Sequence, residues 1–89
     1  MTALLVVPIS NAPDPLTREV ARVLTRRREL LGITVRGLAE RTGFAPSTIQ
    51  NWLTGKRTPN LDDLAVLCDA LEISPAAVIV EAQRAAGWQ

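Results

Sequence analysis

Eighty-nine residues make one domain with a modest core. The absence of His and the single Cys leave no support for metal binding, histidine acid–base catalysis or an internal disulfide framework. The net charge of +1 hides an asymmetry: residues 1–15 carry only Asp14, residues 16–60 a net of +6, and residues 61–89 a net of −4. A basic middle and an acidic end point to one surface for a polyanion and another for other contacts.

In chain order, residues 2–9 (T-A-L-L-V-V-P-I) are apolar and rich in β-branched side chains, without helical period. They predict a short strand or extended arm, and Pro8 restricts it to an edge. Residues 1–13 are expected to form an arm and linker, residues 14–86 the folded domain, and residues 87–89 a tail. Asp14 offers an N-cap and Pro15 suits a first helical position. Leu16, Val20, Val23, Leu24, Leu30 and Leu31 then recur at helical spacing, which predicts a helix from about residue 15 to Leu31 with Gly32 as its stop.

Thr34 should cap a second helix, roughly Val35–Thr42, whose apolar face is Val35, Leu38 and Ala39. Gly43 should end it in the left-handed conformation that Gly adopts cheaply. A third helix starts near Ala45, with Pro46 in its first turn. Ile49, Trp52 and Leu53 make a single apolar stripe at i, i+3, i+4. A fourth helix, capped by Asn60, carries Leu61, Leu64, Ala65, Leu67, Cys68 and Leu71 inward, and Asp62 and Asp63 lie at its positive end. Ser74 and Pro75 start a fifth helix bearing Val78, Ile79, Val80 and Ala82.

Cys68 sits among leucines and acidic residues, so it reads as a small core residue rather than a redox sensor. A lone thiol suits a reducing cytoplasm, the expected location. No segment has the length of a membrane-spanning helix. Ala3–Ile9 lacks a preceding basic region and is interrupted by Pro8, so it makes a poor signal peptide.

Residues 34–55 carry the chemistry. Two short helices joined at Gly43 present Ser47, Thr48, Gln50 and Asn51 outward from the second of them. A short polar helix on an apolar scaffold is what the DNA major groove accepts. Asn51 shares a face with Ser47 one turn away, and an amide can bond adenine bidentately. Lys56 and Arg57, directly after this helix, suit phosphate anchors. Trp52 lies on the apolar stripe, so core packing is favoured over base stacking. Arg18, Arg22 and Arg26 fit a solvated helix face. In the Arg26-Arg27-Arg28 run, Arg28 suits an internal ion pair, and Arg26 and Arg27 suit solvent or the DNA backbone.

From Arg28 to Leu71 the chain resembles the lambda-repressor-like (Cro/Xre) family of helix-turn-helix DNA-binding proteins. The resemblance rests on Arg28, G-I-T-V-R-G-L-A at 32–39, Gly43, T-I-Q-N-W-L-T-G-K-R at 48–57, Pro59, and L-A-V-L-C-D-A-L at 64–71. It implies an all-α, five-helix fold, here preceded by the extended arm, with the third helix in the major groove and the second crossing the backbone. It also implies binding to a palindromic operator as a homodimer.

Carried over by position, the base-reading residues are Pro46, Ser47, Thr48, Gln50 and Asn51. The phosphate-binding ones are Thr34, Arg36, Thr54, Lys56, Arg57 and Asn60. Three positions depart from the family. Val35 stands where a phosphate-holding Gln is common, Ala45 where a hydroxyl or amide cap is common, and Pro46 where a base-reading residue is frequent. These changes shift base contact toward Ser47 and Asn51.

Two apolar surpluses remain. Either the arm packs back on the first and fifth helices, or Leu4, Leu5, Val6, Val7, Ile79 and Trp88 form a dimer interface.

The expected function is a sequence-specific double-stranded DNA-binding transcriptional regulator, a phage or bacterial repressor of minimal form without a sensor or cleavage domain. The rival is an antitoxin-like or anti-regulator protein-binding module with secondary DNA binding. No cofactor or metal is expected. No enzyme is expected, because the chain offers no His, no nucleophile–base pair and no ligand cluster.

Overall fold

The computed structural model describes residues 15–87, and these form five helices with no strand among them. The helices are α1 (Pro15–Leu31), α2 (Val35–Thr42), α3 (Pro46–Leu53), α4 (Leu61–Ala70) and α5 (Pro75–Ala85). The expected arm, the Asp14 cap and Trp88 lie outside the described residues.

Local chemistry sets most of the helix ends. The Oγ1 of Thr34 accepts from the Gly37 amide, the Asn60 Oδ1 from the Asp63 amide, and the Ser74 Oγ from the Ala77 amide. Each satisfies an orphan donor of a first turn, worth about 1 kcal/mol. Asp62 and Asp63 sit in the first turn of α4, where the helix dipole favours negative charge. At the other end of α4, Glu72 takes a left-handed φ of 58°, an uncommon conformation for a side-chain-bearing residue.

α1 is the spine. It packs against α5 and α3, α2 packs against α3 and α4, and α4 closes on α5. The core joins Val20, Val23 and Leu24 of α1 to Leu38, Ile49, Trp52 and Leu53 of the helix-turn-helix. It continues into Leu64, Leu67, Cys68, Leu71, Val78 and Ala82. Phe44 adds its ring edge-on to Trp52, with centroids 4.9 Å apart and planes at 84°.

Three apolar assignments from periodicity fail. Leu61 is 83% exposed, because the α4 stripe Leu64–Leu67–Cys68–Leu71 enters the core one turn after the helix begins. Ala65 is also exposed, one residue round from that stripe. Leu30 is 74% exposed in the last turn of α1. It borders a shallow groove with Val23, Arg26, Arg27, Ile73 and Glu81 instead of a closed core.

The arginine run at the end of α1 is structural. Arg27 donates from Nε to the Leu71 carbonyl and from Nη2 to the Glu72 carbonyl, both at 2.8 Å. One planar guanidinium thereby closes two carbonyls at the C-terminal end of α4 and adds positive charge at the negative end of that helix dipole. Arg26 approaches Glu81 of α5 at 3.7 Å. Arg28 donates to the Ile33 carbonyl at 2.8 Å, and its ion pair is only a 4.0 Å contact with neighbouring Glu29.

Cys68 is fully buried, and burial pushes its thiol up from 9.0 to about 11. The folded state therefore holds this proton more tightly than the unfolded chain does. The associated stability is complete below pH 9 and is lost as pH rises toward 11. At neutral pH a thiol reagent should label Cys68 at the rate of global unfolding, and urea midpoints should fall across that alkaline window in the native protein but not in Cys68→Ala.

Arg27→Ala should lower the unfolding free energy by about 2 kcal/mol, since it strips a charged donor from two carbonyls. Arg26→Ala, which removes only an exposed pair, should change it by less than about 1 kcal/mol. Urea denaturation of both variants checks the contrast.

Candidate nucleic-acid interface

The turn between α2 and α3 is built from three side-chain and backbone devices. Gly43 has a φ of 83°, and its amide donates to the Ala39 carbonyl at 2.8 Å. A side chain there would be strained by roughly 1–2 kcal/mol. The Thr42 hydroxyl donates back to the Leu38 carbonyl at 2.8 Å and accepts from the Phe44 amide at 3.2 Å. Phe44 then tucks against Trp52, and the chain enters α3 in a fixed direction.

On α3, Ile49, Trp52 and Leu53 are buried, Pro46, Ser47 and Gln50 are exposed, and Thr48 and Asn51 are partly exposed. Burying these three large apolar side chains contributes roughly 1.5–3 kcal/mol each and fixes which face of an eight-residue helix looks outward. Ser47 and Asn51 stand one turn apart, as do Gln50 and Thr54. Ala45 supplies no side-chain cap and Pro46 has no amide hydrogen. The Ser47 and Thr48 amides, left without an intrahelical acceptor in the first turn, remain donors.

The segment that follows α3 is held at both ends. The Thr54 hydroxyl donates to the Gln50 carbonyl at 2.8 Å, so its proton is engaged within the helix. Gly55 is buried with a φ of 78°, and a Cβ there would stand 3.6 Å from the Ala21 Cβ of α1. The Arg57 amide donates to the Asn51 carbonyl at 3.1 Å. The Thr58 and Thr17 hydroxyls meet at 3.2 Å, and the Thr25 hydroxyl donates to the Leu53 carbonyl at 3.0 Å. Lys56 and Arg57 are exposed on this pinned loop, and Asn60 is exposed at the start of α4.

The residues named for phosphate contact thus fall in two places. Thr54, Lys56, Arg57 and Asn60 follow α3 directly, whereas Thr34 and Arg36 lie at the start of α2. With one Thr34 lone pair spent on the Gly37 amide, its hydroxyl proton is the group left for an acceptor. Asn60 uses its carbonyl oxygen as the cap and keeps its NH2 as a donor.

Sequence reasoning missed Thr17, Thr25, Phe44 and the packing of Gly55 on α1. The partners of Thr17, Thr25 and Gly55 are distant in the chain, Phe44 meets Trp52 only across the turn, and the residues themselves carry no periodic signal. Among the described residues, no group of His, Cys, Asp or Glu is placed to hold a metal ion, and no helix is long and apolar enough to cross a membrane.

Comparison with known proteins agrees with this arrangement. The family model of a helix-turn-helix domain matches residues 19–78. A crystal structure of the clp gene regulator ClgR from C. glutamicum superposes with a TM-score of 0.75 at 30% identity, covering 83% of this chain and 96% of that one. A second structure of ClgR, from Corynebacterium glutamicum, gives a TM-score of 0.77 at 28% identity, covering 84% and 80%. No curated protein sequence matches the chain.

Proposed function

The chain belongs to the helix-turn-helix domain family, and from that premise we propose a sequence-specific double-stranded DNA-binding transcriptional regulator, a bacterial or phage repressor that occupies a palindromic operator as a homodimer. The observation that carries this reading is the outward polar face of α3 set over a buried apolar one, with Lys56 and Arg57 on a loop pinned beside it. The similarity to a regulator of clp genes supports the same class of activity.

In this reading α3 enters the major groove. Ser47 and Asn51 carry most of the base discrimination, flanked by Pro46, Thr48 and Gln50. Lys56, Arg57, Asn60, Thr34 and Arg36 fix the register on phosphates, which positions the protein without reading sequence. Thr54 joins them only if its hydroxyl leaves the Gln50 carbonyl.

Self-association is supported by an apolar groove lined by Leu16, Val20, Pro59, Leu61, Leu64 and Ile79. Leu61 lies 83% exposed on it, and a lone soluble domain rarely leaves a contiguous apolar patch of this kind uncovered. The apolar segment Leu4–Val7 precedes α1, whose first turn contributes Leu16 to the same groove. Two-fold symmetry then sets two copies of α3 about 34 Å apart, one turn of DNA.

Selection of bound duplexes from a random pool should return a palindrome. With Asn51→Ala, preference should flatten at one base position per half-site, at a cost of about 1–3 kcal/mol on the selected sequence. Lys56→Ala should instead weaken selected and random duplexes alike and lower the log–log salt slope by about 0.9. Failure to bind any duplex at low salt refutes the reading.

Removal of residues 1–9 should leave a helical, folded domain that sediments as a monomer and binds the full palindrome more weakly. An unchanged sedimentation mass and operator affinity would separate dimerisation from the arm.

A further inference from the structure

Five arginines lie on α1, and the fold divides them into two groups. Arg27 and Arg28 are taken up by the Leu71 and Glu72 carbonyls and by the Ile33 carbonyl, and Arg26 makes only an exposed pair with Glu81 of α5 at 3.7 Å. Arg18 and Arg22, in the N-terminal half of the helix, bond no carbonyl among the described residues. Among the described residues Arg18 makes no ion pair. Arg22 has one, to Glu19 one turn away at 3.6 Å, with its own side chain 65% exposed. An exposed pair of that kind gives way readily to a stronger anion.

The position of these two residues is set by Gly55. A Cβ there would stand 3.8 Å from the Arg18 Cα and 4.0 Å from its Cγ, so α1 lies against the backbone immediately before Lys56 and Arg57. Arg18, Ala21, Arg22 and Thr25 of α1 also form one wall of an open groove, with Leu53 and Thr54 from the end of α3 as the other. Thr54 is one turn beyond Gln50 on the outward face of α3, so the groove continues that face across to α1. Arg18 and Arg22, at i and i+4, share one side of their helix. Among the described residues, the exposed cations thus run from Lys56 and Arg57 past Gly55 to Arg18 and Arg22 with Glu19 as the acidic neighbour.

We propose that Arg18 and Arg22 form a second phosphate-binding site, which holds the sugar–phosphate backbone of DNA flanking the base pairs that α3 reads. The site rests on the DNA-binding reading above and enlarges its footprint. Guanidinium groups suit it because their planar fork of donors matches the oxygens of a phosphate. Its contribution is independent of sequence and screened by salt. The sorting of the arginines also explains how so basic a helix serves both purposes: Arg27 closes the carbonyls after α4, and Arg18 and Arg22 are exposed toward a polyanion.

The test compares the intact protein with Arg18→Ala/Arg22→Ala and Arg18→Lys/Arg22→Lys on two duplexes. One holds only the selected operator, and the other extends it by about half a helical turn on each side. Each variant is first matched to the parent in helical content and melting temperature. The wild type should bind the extended duplex more tightly, and ethylation of flanking phosphates should interfere with its binding. The double alanine variant should lose that gain. Its salt slope should fall by about 1.8, so that its affinity drops about twelve-fold less between 50 and 200 mM salt. Base preference should be unchanged, and the double lysine variant should retain most of the slope.

A double alanine variant with the parental slope and the parental gain from flanks overturns the site while leaving the DNA-binding reading intact. Absence of binding by the wild type to either duplex at low salt overturns both.

Discussion

Burial of the Ile49–Trp52–Leu53 stripe is the constraint on which the rest depends. An eight-residue helix is too short to persist in water on its own propensity. α3 exists because its apolar stripe lies against α1 and α2, and that packing decides which side chains remain outside. The outward set Ser47, Gln50 and Asn51 is therefore a consequence of core packing. A change that rotated α3 by one residue would bury an amide and expose Trp52 or Ile49. The Phe44–Trp52 contact guards the same orientation from the turn side.

α1 acts as a clamp as well as a packing surface. Thr25 satisfies the Leu53 carbonyl at the end of α3, Arg27 satisfies the Leu71 and Glu72 carbonyls after α4, and Thr17 meets Thr58 in the basic loop. Helix ends leave carbonyls that must find partners, and here side chains from one long helix supply several of them. The loop carrying Lys56 and Arg57 is thereby anchored by Thr17, by the close approach of Gly55 to Ala21, and by the Arg57 amide on the Asn51 carbonyl. A pre-positioned loop loses less conformational entropy when it meets a polyanion than a free one would.

The same logic governs charge. Arginine is long, always charged and rich in donors, so its role depends on what lies within reach of its stem. At the end of α1 the chain offers carbonyls, and the guanidinium groups of Arg27 and Arg28 are absorbed. In its N-terminal half it offers, among the described residues, the close approach of Gly55 and the exposed pair with Glu19. Asp62 and Asp63 of α4 are placed where they stabilise that helix, at its positive end, away from the role of balancing the basic segment.

The sequence by itself determined the number of helices and most of their starts, because caps act within a few residues. Thr34, Asn60 and Ser74 each bond an amide three positions on, Gly43 needs only its own φ, and the α3 stripe is a matter of spacing. From those the helix-turn-helix and the outward face of α3 were legible, as was the burial of Trp52 and Cys68. Periodicity overreached at Leu30, Leu61 and Ala65, since it reports which way a residue points along a helix and not whether another element lies there to cover it. Only the tertiary structure decided the fates of the five arginines of α1, the anchoring of the basic loop and the left-handed turn at Glu72. Those depend on partners such as Leu53 for Thr25 and Leu71 for Arg27, which are 28 and 44 residues away and come within hydrogen-bonding distance only after the core has closed.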